Sequence, residues 1–162
     1  MKHPLEGQIE EVERICLQRG WRIGLAESCT GGLLSSWIAS RPGVSSFYQG
    51  SVVTYARRAK IDILKVKLAT IQALGEVSEP VAKAMAQGAR EVLSCDWSVA
   101  ITGIAGPGGG SKEKPVGMVC FAVHGPGFEK AVTHLFPSGL ERHEIQRQAA
   151  LFAFDLLVSG LR

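Results

Sequence analysis

Two short apolar segments each run without a linker into glycine. Arg22 to Ala26 leads into Glu27-Ser28-Cys29-Thr30-Gly31-Gly32, and Trp97 to Thr102 leads into Gly103-Ile104-Ala105-Gly106-Pro107-Gly108-Gly109-Gly110. The first turn opens a helix over roughly Leu33 to Ser40, which makes the unit a strand, a loop and a helix N-terminus. Glycine is enriched throughout: 19 of 162 residues, about 12% against a usual level of roughly 7%, with no Gly-X-Y period. That excess implies tight turns or close backbone approaches, of which ligand loops are one common kind.

The segments around these turns alternate in period. Leu5, Ile9, Val12 and Cys16 recur at helical spacing among charged residues, and Gly20 is placed as a C-cap. Arg41-Pro42-Gly43 breaks the second helix. Ser51 to Tyr55 then reads as a strand and Arg58 to Leu64 as a short basic helix. Gly75 ends the following segment, Ser78 caps the next helix with Pro80 in its first turn, and Val81, Met85, Ala89 and Val92 form its expected buried stripe. Val116 to His124 and Lys130 to Phe136 make a hairpin around Gly125-Pro126-Gly127. A last helix over Glu141 to Leu161 buries Ile145, Ala149, Phe152 and Leu156, with Leu151, Phe154 and Leu157 widening the stripe. The pattern predicts one domain over residues 1–162, a three-layer α/β/α sandwich with a mixed sheet.

Several function classes are disfavoured. A net charge of 18 − 15 = +3 is slight for a dedicated nucleic-acid binder, and no aromatic-basic array accompanies it, so no nucleic-acid partner is expected. Cys16, Cys29, Cys95 and Cys120 are scattered, without C-x-x-C or histidine at ligand spacing, so no metal site, cofactor or disulfide framework is expected. The longest apolar stretch, Val116 to Val123, is too short to span a bilayer, and the N-terminus has no apolar signal core; a cytoplasmic protein without a membrane partner is the expectation. Gly110 is followed by Ser111-Lys112 rather than Gly-Lys-Ser/Thr, and G-x-S-x-G and H-E-x-x-H are absent. Ser111-Lys112-Glu113-Lys114 matches S-x-x-K, but in a glycine-rich loop the lysine is not held one helical turn from the serine.

The Glu27–Gly32 turn admits two readings. Its small hydroxyl residues and glycines leave backbone N–H groups free to bind an anion or oxyanion. Alternatively, Ser28 or Thr30 simply caps the helix, although a cap does not require two glycines. Five cations fall between Arg57 and Lys67, a run that is ordinarily a solvated face. Lys60 differs, because Ala59, Ile61 and Leu64 surround it and neighbouring cations would oppose its charge, a setting for a neutral lysine base. Tyr55 by itself reads as a half-buried strand aromatic.

A family resemblance covers nearly the whole chain. Ala26-Glu27-Ser28-Cys29-Thr30-Gly31-Gly32-Leu33, Ser51-Val52-Val53-Thr54-Tyr55 with Ala59-Lys60, Val77-Ser78-Glu79, Ala100 to Gly109, and Lys114-Pro115-Val116-Gly117 resemble, in order, the CinA C-terminal domain family. The absence of a second domain resembles that family's stand-alone nicotinamide mononucleotide deamidases. The resemblance implies hydrolysis of the nucleotide's carboxamide to nicotinate mononucleotide and ammonia, without metal. It places the nucleophile on Ser28, with Lys60 and Tyr55 as catalytic partners, and matches Ser45 to a serine of the family's Pro-Gly-Ser-Ser segment. Thr30, Gly31, Gly32, Thr102, Gly103 and Gly106 would surround the substrate, a small nucleotide, and Arg142 or Arg147 would reach its phosphate. A homo-oligomer, a dimer first, is the expected assembly.

Two departures from the family pattern bear on substrate identity. Ala56-Arg57-Arg58 stand where a hydroxyl residue and Asn or Asp are usual, and Val44 replaces the first serine of Pro-Gly-Ser-Ser. The added arginines would suit a phosphate. They also keep a second function class open, a catalytically inactive nucleotide-binding or interaction module of the same family.

Overall fold

A computed structural model describes residues 3–162. In chain order the elements are α1 (Glu6–Arg19), β1 (Ile23–Glu27), α2 (Leu33–Ala39), β2 (Tyr48–Val53), α3 (Arg57–Asp62), α4 (Leu68–Leu74), α5 (Glu79–Leu93), β3 (Trp97–Gly103), β4 (Met118–Gly125), β5 (Phe128–Leu135) and α6 (Arg142–Leu161). The strands form one five-stranded sheet of order β2-β1-β3-β4-β5. β1 is parallel to both β2 and β3, whereas β4 pairs antiparallel with β3 and with β5. The expected mixed-sheet α/β/α sandwich is what the chain forms.

Side-chain size separates the two faces of the sheet. Along β1, β3 and β4 the period of two sends Ile23, Leu25, Val99, Ile101, Val119, Phe121 and Val123 to the core shared with α1, α2 and α6. The alternate positions are small: Ala26, Ala100 and Ala122 pack against Val81, Ala82, Met85, Ala86 and Ala89 of α5. Small residues on both surfaces bring α5 close, and Ser98 Oγ donates to the Ala86 carbonyl at 2.6 Å. α3 is drawn in from the other side, since a Cβ at Gly88 would collide with the carbonyl of Leu64.

The two parallel crossovers run in opposite directions along the sheet. One passes from β1 through α2 to the edge strand β2, and the other returns from β2 through α3, α4 and α5, past β1, to β3. The carboxyl ends of β1 and β3 therefore flank a topological switch point, where an open α/β sheet leaves a crevice. Both glycine-rich turns begin there.

Some sequence-based boundaries are corrected. β2 begins at Tyr48 and ends before Tyr55, because a bulge between Ile23 and Gly24 in the β1–β2 register leaves Gln49 unpaired and breaks the apparent period. Val92 is 49% exposed: the buried row of α5 runs through Ala89 to Leu93, which packs against Gly24. Phe152 and Leu156 are only partly buried, while Ala153, Phe154 and Leu157 take the centre of α6. The hairpin turn is shorter than expected, with Gly125 paired to Phe128 across Pro126-Gly127. α4 carries no period in the sequence because it is only seven residues long and has no side-chain cap.

Gly88→Ala should lower stability by about 1–3 kcal/mol, read as a shift of the chemical denaturation midpoint, because overpacking against the Leu64 backbone outweighs the ~1 kcal/mol that alanine gains in a helix.

Candidate functional site

Glu27, the last residue of β1, is fully buried, and its carboxylate is surrounded by donors. Oε2 accepts from Thr30 Oγ1 at 2.7 Å and from the backbone N–H groups of Gly32 and Leu34 at 3.1 and 3.2 Å. Oε1 accepts from the Ser35 N–H at 2.9 Å and from Ser51 Oγ at 3.2 Å. A buried carboxylate thus occupies the N-terminus of α2, which carries no side-chain cap of its own, and its charge complements the helix dipole. Neither Ser28 nor Thr30 is therefore the cap, and the Gly31 and Gly32 N–H groups are not free for an external anion. Gly31 and Gly32, whose N–H groups are engaged within the turn, do not line the cleft, and Thr30 is spent on Glu27. Their glycine character answers to backbone geometry: φ is +62° at Gly31 and +97° at Gly32.

Relieved of capping, the Ser28 hydroxyl meets Lys60, whose Nζ lies 2.9 Å from Ser28 Oγ. α3 carries Lys60 inward, leaving it 1% exposed, and Nζ donates to the carbonyls of Thr54 at 2.8 Å and Tyr55 at 3.4 Å. Two carbonyls therefore satisfy the two hydrogens of a neutral amine and leave its lone pair for the serine hydroxyl. Burial lowers the Lys60 pKa from its usual range, opposed by the Glu76 carboxylate 4.0 Å away. The expected repulsion from neighbouring arginines is not the cause. Arg57 pairs with Glu76 at 3.4 Å and Arg58 with Asp62 at 2.5 Å, so both charges are already balanced.

Ser28 and Lys60 sit on the wall of a cleft of about 430 Å³ at the β1/β3 switch point, within the range of small-molecule sites. Thr102, Gly103 and Gly106 line it, and the Thr102 hydroxyl donates to the Glu76 carbonyl at 2.9 Å. Gly103 permits a close approach, since a Cβ there would lie 2.7 Å from Val119. Among the described residues, the backbone N–H groups of Cys29, Ala105 and Gly106, all in the lining, make no hydrogen bond to another residue. Arg142 also lines the cleft and donates to Gly106 O and to Tyr55 Oη, both at 2.6 Å. Tyr55 is 59% exposed, and its hydroxyl bonds Arg142 rather than Ser28 or Lys60. Ser45 is exposed in a 3-10 turn at the opposite end of β1, and Arg147 pairs with Glu144; neither lines the cleft.

Five residues in or behind the cleft wall carry roles that the sequence did not assign. Glu76 and Lys114 line it; Lys114 Nζ crosses from the glycine-rich loop to donate to the carbonyls of Leu74 and, at 2.6 Å, Val77. Gln146 donates to the Cys29 carbonyl at 2.9 Å, and burial pushes the Cys29 thiol up to about 12, so it stays protonated beside Ser28. Glu27 had a signal: a lone acid closing an apolar strand before a helix with glycines at its start. Glu76, in a turn, had none.

The fold and cleft define a class: an α/β/α protein with a buried lysine set against a serine at a sheet switch point. The chain belongs to the CinA C-terminal domain family, which it matches over residues 6–161. It is 45% identical over 150 residues to a CinA-like protein of Fervidobacterium nodosum, covering 93% of this chain and 36% of that one. It is 47% identical over 144 residues to a CinA-like protein of Anaeromyxobacter dehalogenans, covering 89% and 35%. It thus spans about a third of these curated relatives' length. Among solved structures, the competence damage-inducible protein A (ComA) of Klebsiella pneumoniae superposes with a TM-score of 0.89 at 32% identity, covering 96% of this chain and 95% of that one. A CinA superfamily protein of Escherichia coli gives 0.90 at 34%, covering 97% and 91%.

Glu27→Gln should destabilise the protein by about 1–3 kcal/mol in denaturant titrations, because an amide NH₂ cannot accept from the α2 N–H groups and leaves buried donors unpaired.

Proposed function

We propose that the chain is an amidohydrolase that converts nicotinamide mononucleotide to nicotinate mononucleotide and ammonia through an acyl-enzyme on Ser28. The observation that carries this reading is the buried Ser28–Lys60 contact at 2.9 Å, with two carbonyls holding the lysine nitrogen from behind. Neutral Lys60 takes the Ser28 proton as Oγ adds to the carboxamide carbon. The resulting oxyanion needs donors, and the unengaged N–H groups of Cys29, Ala105 and Gly106 are suited to supply them. Lys60 returns its proton to the leaving nitrogen, the C–N bond breaks, and ammonia departs. A water molecule then gives a proton to Lys60 and attacks the ester, Ser28 recovers its hydrogen, and the nicotinate product leaves.

Lys114 and Arg142 are the cleft cations suited to the phosphate, whereas Arg147 drops out of that role. Tyr55 does not carry the proton; its hydroxyl orients Arg142. Family membership supports the reading because the motifs around Ser28, Lys60 and the glycine-rich loop lie within the matched residues.

Purified protein incubated with nicotinamide mononucleotide should release ammonia in a coupled assay. Binding without release would put the chain in the alternative class, an inactive nucleotide-binding module.

Ser28→Ala should abolish turnover while largely preserving nucleotide affinity by calorimetry, since the hydroxyl acts in the chemical step. Lys60→Arg should be nearly as damaging as Lys60→Ala, because a guanidinium does not give up its proton in this range. The rate should rise with pH through the Lys60 ionisation, below the range of free lysine, because only the deprotonated amine accepts the serine proton. Chelators should leave the rate unchanged, since no step is assigned to a metal.

A further inference from the structure

The cleft holds a carboxylate with two suitors. Glu76 Oε2 is 3.4 Å from Arg57 Nη2, while its other oxygen, Oε1, is 4.0 Å from Lys60 Nζ. Arg57 is exposed on the first turn of α3, Lys60 is buried one turn on, and Glu76 lies between them in the turn before α5. The Glu76 backbone is pinned, since its carbonyl accepts from Thr102 and its neighbour Val77 accepts from Lys114. Only the side chain is left to choose a partner. A full Lys60–Glu76 hydrogen bond would need a hydrogen on Nζ, and both hydrogens of the neutral amine are already donated to the carbonyls of Thr54 and Tyr55.

We propose that Arg57 is a positioning residue: by holding the Glu76 carboxylate at the cleft rim, it keeps that carboxylate from closing on Lys60 and so leaves the lysine nitrogen to Ser28. This deepens the amidohydrolase reading by assigning the tuning of its base, and gives a purpose to an arginine otherwise read as a solvated charge.

The other groups about Lys60 do not substitute for this pair. From the β1–α2 turn, Cys29 is a neutral thiol and Glu27 is committed to α2. From α6, Arg142 is bound to Gly106 and Tyr55, and from the glycine-rich loop Lys114 is bound to two carbonyls. Arg58 is paired with Asp62 on the same helix. Glu76 is the only carboxylate within 4.0 Å of Nζ among the described residues.

The test reads Lys60 directly, so it stands whether or not nicotinamide mononucleotide is the substrate. The full chain carrying ¹³C-labelled lysine is titrated by NMR, the Lys60 signal being assigned by its loss in Lys60→Met. Arg57→Gln should raise the Lys60 midpoint by about half a pH unit, the scale of an exposed ion pair. Glu76→Gln should lower it, and Arg57→Gln in the Glu76→Gln background should add nothing further. Arg57→Lys, which keeps the charge at the rim, should restore most of the wild-type midpoint. An unmoved midpoint in Arg57→Gln overturns the proposal. So does an equal shift in both backgrounds, which would mean that Arg57 acts through its own field and not through Glu76. Where ammonia release is observed, the acid limb of the rate profile should move with the NMR midpoint; absence of release would count against the substrate assignment alone.

Discussion

The carboxylate of Glu27 at the start of α2 is the contact on which the site depends. A helix N-terminus beside a strand end normally offers its N–H groups to whatever anion is near. Here the chain supplies the anion itself, from the last residue of β1, and ties the intervening turn to it through Thr30, Gly32, Leu34 and Ser35. With that end sealed, Ser28 is released to the other side of the turn, where it meets Lys60. The same carboxylate accepts from Ser51 on β2, so one buried charge joins strand, turn, helix and neighbouring strand.

Lys60 is buried because the opposite layer is thin. Alanines on β1, β3 and β4 and the small residues of α5 let that helix settle close to the sheet, and Gly88 lets the backbone at Leu64 come in behind it. α3 is short, and the residues that hold it down are Leu64, Val66 and Ile71, just beyond its end. Packing at Gly88 therefore acts on the lysine nitrogen through the placement of α3, and the lowered basicity of Lys60 is a property of the layer.

The layers, the sheet class and the pairing of Ser28 with Lys60 were legible because they rest on local pattern: period-two strands, amphipathic helices and a family resemblance carried by short motifs. What was not legible depends on distance in space. Nothing local says that Glu27 accepts from five groups, that Tyr55 lies beyond its strand against Arg142, or that Lys114 reaches the turn before α5. Ser45 shows the reverse case: its motif suggested the site, but it follows α2 at the far end of β1, where the sheet holds it away from the cleft. Gly31 and Gly32 are required by the turn and not by a ligand, since their positive φ angles shape it while their own N–H groups bond Ser28 O and Glu27.

Lys114 ties the two rims of the cleft together by docking its ammonium on the carbonyls of Leu74 and Val77. Gly75, between them, has φ of +80°, and a Cβ there would lie 2.8 Å from Nζ and push the lysine from its seat. The ammonium carries a third hydrogen beyond the two those carbonyls take, so an anion in the cleft can accept it without breaking either contact. A ligand held there would be tied through one side chain to both rims of the cleft.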